Sequence, residues 1–564
     1  MNKKIKILRE KFKKYDIEGY VIPKNDDYFT EYSKINRLRI ISNFSGSAGL
    51  AVILREKNYL FTDGRYSIQS QIESGKNFKI LSFEKLLNCS LFKNLKLGVD
   101  PKLFTYQQIK KYFLKFNKIK FIKENLIDQI EKKKVNNQNF FFSLNKNTVG
   151  ESSSYKLNKI TNYLKRNKSD FIFITAPENV AWILNIRGSD CPNSPIPNCR
   201  LIVSKLKKIF LISEKEKCKK LLKDKTIKSH QFMDLKKLPK KILELKGKNF
   251  IIDKSSCSIY YENIIKSKFK ILKKEDPTYF LKSIKNKTEI NNMKQAHISD
   301  GVALTKFLYW IKNINKKKIT EVDAQNKLEK FRRMNKNFLY PSFDTIAGSG
   351  KNGAIIHYRA NRKNCKIINN KDIFLCDSGG QYKYGTTDVT RTICFSKPSQ
   401  NIKNIFTYVL KGHIAVATTD LKKDNIGKKI DLRARKYLKQ NNLDYVHGTG
   451  HGVGFFLNVH EGPQSISKIN KIKIKKGMIL SNEPGYYKKG KFGIRIENLV
   501  YVEEIKNKIF FKNLTLAPIE KDLINFDLLN AFEKNYLFQY HLDVYSNISQ
   551  YLNTKEKKWL ASFI

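Results

Sequence analysis

No stretch of this chain approaches the ~20 consecutive apolar residues that cross a bilayer as a helix, so no membrane partner is expected. Cysteine is sparse and unpatterned. The eight, Cys89, Cys191, Cys199, Cys218, Cys257, Cys365, Cys376 and Cys394, form no CxxC pair. In a chain this long that argues against a disulfide scaffold or a zinc-finger pattern, and reads as free thiols in a reducing, cytoplasmic compartment. The amino terminus is basic, with Ile5, Leu8 and Phe12 at helical spacing, but no continuous apolar core follows. That predicts an amphipathic helix and not a secretory leader. Acidic residues are outnumbered, 51 against 109 Lys and Arg, for a formal charge of +58. Such an excess can serve nucleic acid. However, no helix-turn-helix signature or arginine-rich arm accompanies it, and the basic residues run along the whole chain. The densest run, Lys471 to Lys476, alternates with isoleucine and predicts a half-buried strand. Lysine as the default solvated residue accounts for the charge, and no nucleic-acid partner is expected.

What the chain does have is apolar material, 41% hydrophobic and 12% aromatic residues, enough for large cores. Its 564 residues exceed one core and suggest three or four domains. The first ~140 residues alternate helix and strand signals, with strands at Gly49–Leu54 and Tyr59–Phe61 and a turn at Thr62–Tyr66. A Lys/Asn-rich stretch, Glu131 to Asn139, reads as a linker. A second strand–helix–strand pattern follows: a strand at Phe171–Thr175, an apolar helix from Asn179 to Arg187, and strands at Leu201–Val203 and Ile209–Ile212. It resembles the first pattern in order, without a sequence repeat. After a boundary near Lys282 to Lys287, Thr288 is the expected cap of a long helix, and Thr320 with Asp323 caps the next.

The chemistry gathers between 340 and 500. Asp377 ends the apolar run Ile373–Cys376, and Asp388, eleven residues on, opens Val389–Thr390–Arg391–Thr392–Ile393. A hairpin across Gln381–Gly385 brings the two carboxylates together. Facing carboxylates in an interior repel unless a cation joins them, although aspartates in solvated turns need no such partner. His447–Gly–Thr–Gly–His451–Gly–Val–Gly454 places two histidines in a glycine-rich loop, and His460 follows soon after. Glu483 ends the strand Met478–Asn482 before Pro484–Gly485. Glu497 lies fourteen residues further, in Gly493–Asn498, where period-two alternation sets Ile494 and Ile496 on one face and Arg495 and Glu497 on the other. A polar cleft wall and a half-exposed strand with a surface ion pair both fit that segment alone. His230, His297, His413 and His541 lie outside these motifs and are expected on the surface or in packing. Taken as a set, four carboxylates and one histidine suit hard or borderline divalent ions, and their charge suits two.

These segments resemble the aminopeptidase P, prolidase and methionine aminopeptidase family, whose ligands run Asp, Asp, His, Glu, Glu. Asp377, Asp388, His451, Glu483 and Glu497 match in order and local motif. Ser342–Ile346 and Gly350–Tyr358, Ser45–Gly49 and Thr62–Tyr66, Asn179–Gly188 and Trp559–Leu560 extend the similarity to the long aminopeptidase P form. The resemblance implies an α/β (α+β) chain: two creatinase-like amino-terminal domains (1–140 and 141–284), a pita-bread catalytic domain (285–501) and a carboxy-terminal extension (502–564). It implies two divalent ions, manganese first with zinc or cobalt as alternatives, that hold a nucleophilic hydroxide. Asp377 would chelate one ion, Asp388 and Glu497 both, and His451 and Glu483 the second. Glu483 would also assist proton transfer. His357 and His460 would contact the substrate, His447 would line the cleft, and Arg495 would orient Glu497. Tyr340 and Phe343 are candidate walls of a proline pocket. The implied activity is hydrolysis of the bond between a first residue and a penultimate proline, by a homodimer with peptides as its partners. A prolidase-like dipeptidase and a non-enzymatic pita-bread binding module are the alternatives.

Overall fold

The computed structural model describes residues 2–87, 91–131, 139–314 and 319–564. Most of the expected linker, 132–138, and Cys89 lie outside the described residues. The chain forms two compact units, Met1–Tyr279 and Phe280–Ile564. The seven described cysteines are free thiols.

In the first unit, helix α1 (Asn2–Lys14) buries Ile5, Leu8 and Phe12, as their spacing requires. Two six-stranded sheets follow. The first contains β1 (Gly19–Pro23), β2 (Leu50–Leu54), β3 (Asn58–Thr62), β4 (Lys79–Ser82), β5 (Lys96–Val99) and β6 (Lys118–Phe121), in the order β4-β3-β2-β1-β5-β6. The second contains β7 (Phe171–Ile174), β8 (Arg200–Ser204), β9 (Ile209–Ser213), β10 (Phe232–Asp234), β11 (Asn249–Ile252) and β12 (Lys270–Lys273), in the order β10-β9-β8-β7-β11-β12. In each, an antiparallel three-stranded meander carries a parallel strand at one edge and two parallel strands at the other. The expected likeness of the two patterns is therefore a shared topology. The apolar segment Asn179–Arg187 is not one helix. The helix spans Pro177–Leu184 and stops at Asn185, which is left-handed at φ 53°. Ile186–Arg187 then pairs with Phe142–Ser143 as a short ribbon.

The second unit opens with α2 (Lys287–Asn313) and α3 (Glu321–Arg333). The cap of α2 is Asn286 and not Thr288. Its side chain accepts from the Glu289 N–H while the Glu289 carboxylate accepts from the Asn286 N–H, a reciprocal box that sets the start of the helix one residue before Thr288. Thr320 and Asp323 cap α3 in the same way. Three strands, β13 (Ile346–Ser349), β14 (Phe374–Ser378) and β15 (Val389–Ile393), form an antiparallel sheet. Phe374, Cys376, Val389 and Ile393 pack against Leu304, Leu308 and Leu328 of the two helices. Alternation along β14 sends Asp377 away from that core. A five-stranded antiparallel sheet contains β16 (Gly450–Gly452), β17 (Glu461–Ile466), β18 (Ile479–Asn482), β21 (Asn498–Ile505) and β22 (Lys508–Asn513), with β19 (Gly485–Lys488) and β20 (Phe492–Arg495) as a separate ribbon. Helices α4 (Gln400–Ala417) and α5 (Gly427–Lys439) cover it through Val416, Ile430 and Ala434 on Leu480 and Val500. In the carboxy-terminal segment, helix α6 (Ala531–Ile548) packs Leu537, Val544 and Ile548 into a core with Val409, Ile494 and Ile496.

Two strand expectations are corrected. Lys471–Lys476 alternates in burial, but only Lys473 makes a bridge, to Ile426, so no strand forms there. Glu497 is not within a strand. It sits at the join where the chain leaves β20 and enters β21. Ile494, Arg495, Ile496 and Glu497 are all buried, at 2% exposure or less, which rules out a half-exposed surface strand.

Candidate metal centre

The strand ends converge. In the β14/β15 register Asp377 faces Thr390 and Ser378 faces Val389, which leaves Asp388 just beyond the pair. The β19/β20 ribbon pairs Gly485 with Arg495 and so folds Glu483 and Glu497 to the same end. Possible ligand atoms of Asp377, Asp388 and Glu497 lie within 4.8 Å of one another, as do those of His451, Glu483 and Glu497, and those of Asp388, His451 and His460. Asp388, His451 and Glu497 each belong to two of these groups. The five residues expected from the sequence therefore come together, with His460 beside them.

The hydrogen bonds around them fix which atoms face inward. His451 Nδ1 lies 3.0 Å from the Gly452 carbonyl, which can only accept, so Nδ1 carries the proton and Nε2 presents a lone pair. Nε2 faces two carboxylates, Asp388 Oδ2 and Glu483 Oε1, each at 3.5 Å. Ser481 donates to Glu483 Oε1 at 3.1 Å and accepts from the His451 N–H at 2.9 Å, which links the two. Arg495 Nη2 donates to Asp377 Oδ2 at 2.6 Å, and its Nε donates to the Thr390 hydroxyl at 3.0 Å. That hydroxyl donates in turn to Glu497 Oε2 at 2.8 Å. Arg495 is the expected orienting group for Glu497 and its neighbours. It grips Asp377 directly and reaches Glu497 only through Thr390.

This donor set fits a pair of cations. Asp377 Oδ1 is buried without a hydrogen-bond partner, on a carboxylate whose other oxygen is held. Burial pushes the Asp377 carboxyl up to about 7, against the pull of Arg495 and with the help of Asp388 and Glu483. Burial raises Glu497 well above its usual range, with Asp388, Glu483 and Asp377 adding to the effect. Burial opposes a charge on His451, yet Asp388 and Glu483 lift it to about 9. Four carboxylates with one guanidinium leave uncompensated negative charge, and a lone pair aimed at two carboxylates needs either a proton or a metal between them.

The other expected residues are placed as follows. His447 Nδ1 donates to the Gly448 carbonyl at 2.7 Å, and its Nε2 accepts from the Tyr487 hydroxyl at 2.9 Å. Arg495 Nη1 donates to the same hydroxyl at 2.5 Å, so the direction of each bond follows from a guanidinium that can only donate. Burial lowers His447 to about 4, which keeps it neutral. The His460 ring stands edge-on to His451, with centroids 4.4 Å apart. His357 is half-buried in the turn after Gly350–Ala354. Phe343 is buried and Tyr340 half-buried. His297, His413 and His541 are buried and His230 is exposed.

Sequence reasoning passed over Thr390, Ser481, Tyr487 and an arginine clamp on the histidine loop. Arg435 donates to Asp431 at 2.8 Å, to the Tyr445 carbonyl at 2.7 Å and to the His447 carbonyl at 2.6 Å, while Asp431 accepts from Thr449 at 2.6 Å. Thr390 and Tyr487 stand inside quoted or adjoining motifs, and strand alternation from Asp388 could have found Thr390. Nothing local marks Asp431 and Arg435 apart from their i, i+4 spacing.

Comparison with known proteins agrees with this geometry. Residues 291–504 match metallopeptidase family M24, residues 508–562 the carboxy-terminal region of that peptidase, and residues 4–130 and 132–289 two creatinase/prolidase amino-terminal domains. A probable Xaa-Pro aminopeptidase P of Laccaria bicolor is 38% identical over 98% of this chain and 91% of its own. Xaa-Pro aminopeptidase 1 of Dictyostelium discoideum is 36% identical over 100% and 96%. The crystal structure of X-prolyl aminopeptidase from Caenorhabditis elegans, described as a cytosolic enzyme with a di-nuclear active site, superposes with a TM-score of 0.91 at 28% identity, over 99% of this chain and 98% of that one. The chain belongs to metallopeptidase family M24, within its aminopeptidase P branch.

Proposed function

We propose that this protein is a metal-dependent aminopeptidase that releases the first residue of peptides whose second residue is proline. The observation that carries the reading is the convergence of Asp377, Asp388, His451, Glu483 and Glu497 into overlapping donor groups, in a chain whose full-length relatives bear that name. In this reading Asp377, Asp388 and Glu497 would hold one ion, and Asp388, Glu497, His451 and Glu483 would hold the other. The oxygen-rich set favours manganese, with zinc and cobalt as alternatives. When bound, the ions supply Lewis acidity and make water a competent nucleophile near neutral pH.

The chain's own residues do the rest. Glu483 is half-buried, and its carboxylate is kept ionised by His451 and Arg495 despite burial, so it can accept and return a proton. Asp377, held by Arg495, offers a negative site for the free amino group of the substrate, which restricts cleavage to the first bond. His460 and His357 supply donors to the carbonyl that becomes tetrahedral and to the proline carbonyl. Proline removes an N–H and restrains the residue before it, so a site that binds substrate as an added strand loses a bond there. Histidine donors with the walls Tyr340 and Phe343 do not depend on that bond.

The same reading assigns 1–140 and 141–284 as creatinase-like domains, 285–501 as the catalytic domain and 502–564 as its extension. It includes a cytoplasmic homodimer, with peptides as substrates. No helix among the described residues is long and apolar enough to cross a membrane. Mass spectrometry of Xaa-Pro, Xaa-Pro-Xaa and longer Xaa-Pro peptides tests the assignment. Release of the first residue from the longer peptides supports it. Cleavage of the dipeptide alone would make the protein a dipeptidase.

A further inference from the structure

The carboxy-terminal segment carries no catalytic motif, yet it meets the backbone of the metal centre through one buried arginine. Arg391 follows Thr390 on β15, and its side chain is 1% exposed. Its Nη1 donates to the Glu497 carbonyl at 2.7 Å and to the Thr390 carbonyl at 2.9 Å. The remaining donors turn to the tail and to the start of β21. Nη2 reaches the Ala517 carbonyl at 2.8 Å, the Tyr540 hydroxyl at 2.9 Å and Asn498 Oδ1 at 2.8 Å, and Nε reaches the Pro518 carbonyl at 2.9 Å. Tyr540 lies on α6, is 4% exposed, and itself donates to the Ala517 carbonyl at 2.8 Å. A guanidinium buried this deeply is costly unless every N–H is satisfied, and here the tail supplies half of the acceptors. Glu497 sits at a join between strands, where no ladder holds it, so Arg391 and the bond from its own N–H to the Thr390 carbonyl at 3.2 Å fix its main chain.

We propose that the carboxy-terminal segment is a positioning element of the metal centre. Tyr540 and the carbonyls of Ala517 and Pro518 orient Arg391, and Arg391 sets the main chain of Glu497, whose carboxylate both donor groups share. This rests on the reading of Glu497 as a metal ligand. Partners behind a ligand are worth ~10–100-fold in metal affinity or activity when lost.

The test compares Tyr540→Phe and Arg391→Lys with Glu533→Gln. Glu533 also docks α6, through its ion pair with Lys411 at 2.6 Å, but makes no described contact with Arg391. Mn²⁺ affinity by calorimetry, melting temperature, and kcat and KM on a Xaa-Pro peptide are measured for each. Tyr540→Phe should weaken Mn²⁺ binding about 10-fold or more and lower kcat more than KM, with Arg391→Lys showing the larger loss. Glu533→Gln should lower the melting temperature alone. Tyr540→Phe with unchanged Mn²⁺ affinity and kcat would overturn the proposal, as would equal Mn²⁺ losses in Tyr540→Phe and Glu533→Gln. Should the wild-type protein bind Mn²⁺ yet cleave no Xaa-Pro peptide, the functional reading fails while the affinity comparison still decides this one.

Discussion

Arg495 Nη2 lies 2.6 Å from Asp377 Oδ2, and both side chains are buried on strands that the sequence separates by 118 residues. The contact occupies one carboxylate oxygen and leaves Oδ1 buried and without a hydrogen bond. It also ties Asp377 to Tyr487 and, through Thr390, to Glu497. One donor-only side chain thus orients two carboxylates and one histidine partner.

Arg495→Lys keeps the charge and loses the fork. A single ammonium cannot hold Asp377, Thr390 and Tyr487 together. Divalent-metal affinity should fall ~10–100-fold, read by competition with a chromogenic chelator. Affinity equal to wild type would contradict the role given to Arg495.

Metal binding should release protons. Near pH 7 the metal-free site holds a proton on His451, raised to about 9, and a share of one on Asp377, raised to about 7. Burial raises Glu497 well above its usual range as well, and ligands bind deprotonated, so more than one proton should leave. Calorimetric heats in two buffers of different ionisation enthalpy count them. Identical heats would mean no proton is displaced.

Glu483→Gln should keep the fold and lose ~10²–10⁴-fold in kcat, the usual span for a positioned acid–base group. Circular dichroism and initial rates separate the two effects. A variant that is folded, fully metallated and as fast as wild type would remove Glu483 from the chemistry.

Acid should weaken the catalytic unit through a histidine outside the site. His541 Nε2 accepts the Ile519 N–H at 3.1 Å, and burial, then Arg391, lower it to about 3. The folded state refuses a proton that the unfolded state accepts below ~6.5, so stability falls as pH drops from there towards 3. The slope from this residue is ~1.4 kcal/mol per pH unit. Melting curves of the metal-free protein at pH 7 and 5.5 should show a smaller pH effect in His541→Gln. An equal effect in both would assign the acid lability elsewhere.

What was legible in the sequence was whatever repeats locally. The stripe Ile5, Leu8, Phe12 marked α1, and the Thr320–Asp323 pair marked the start of α3. Of the five candidate ligands, Asp377, His451 and Glu483 were legible because each carries its own turn or glycine context. Less visible was anything set by distant partners. Glu497 reads as strand from its neighbours, but the passage between two sheets places it at a join. The cap of α2 is a different case: the Asn286–Glu289 box is local, three residues apart, and sequence reasoning passed over it for Thr288. Arg391 reads as one more residue of an apolar strand. Apart from the neighbouring Thr390 carbonyl, its acceptors come from residues more than a hundred positions away, which no periodicity records.

Metal dependence and selectivity for proline are tested together. The direct measurement strips the protein with a chelator, restores Mn²⁺, Co²⁺ or Zn²⁺ singly, and compares Arg-Pro-Pro with Arg-Ala-Pro. Stripped protein should release no arginine, at least one ion should restore release, most with Mn²⁺, and only the proline peptide should be cleaved. Release without metal, or equal cleavage of the alanine peptide, would contradict it.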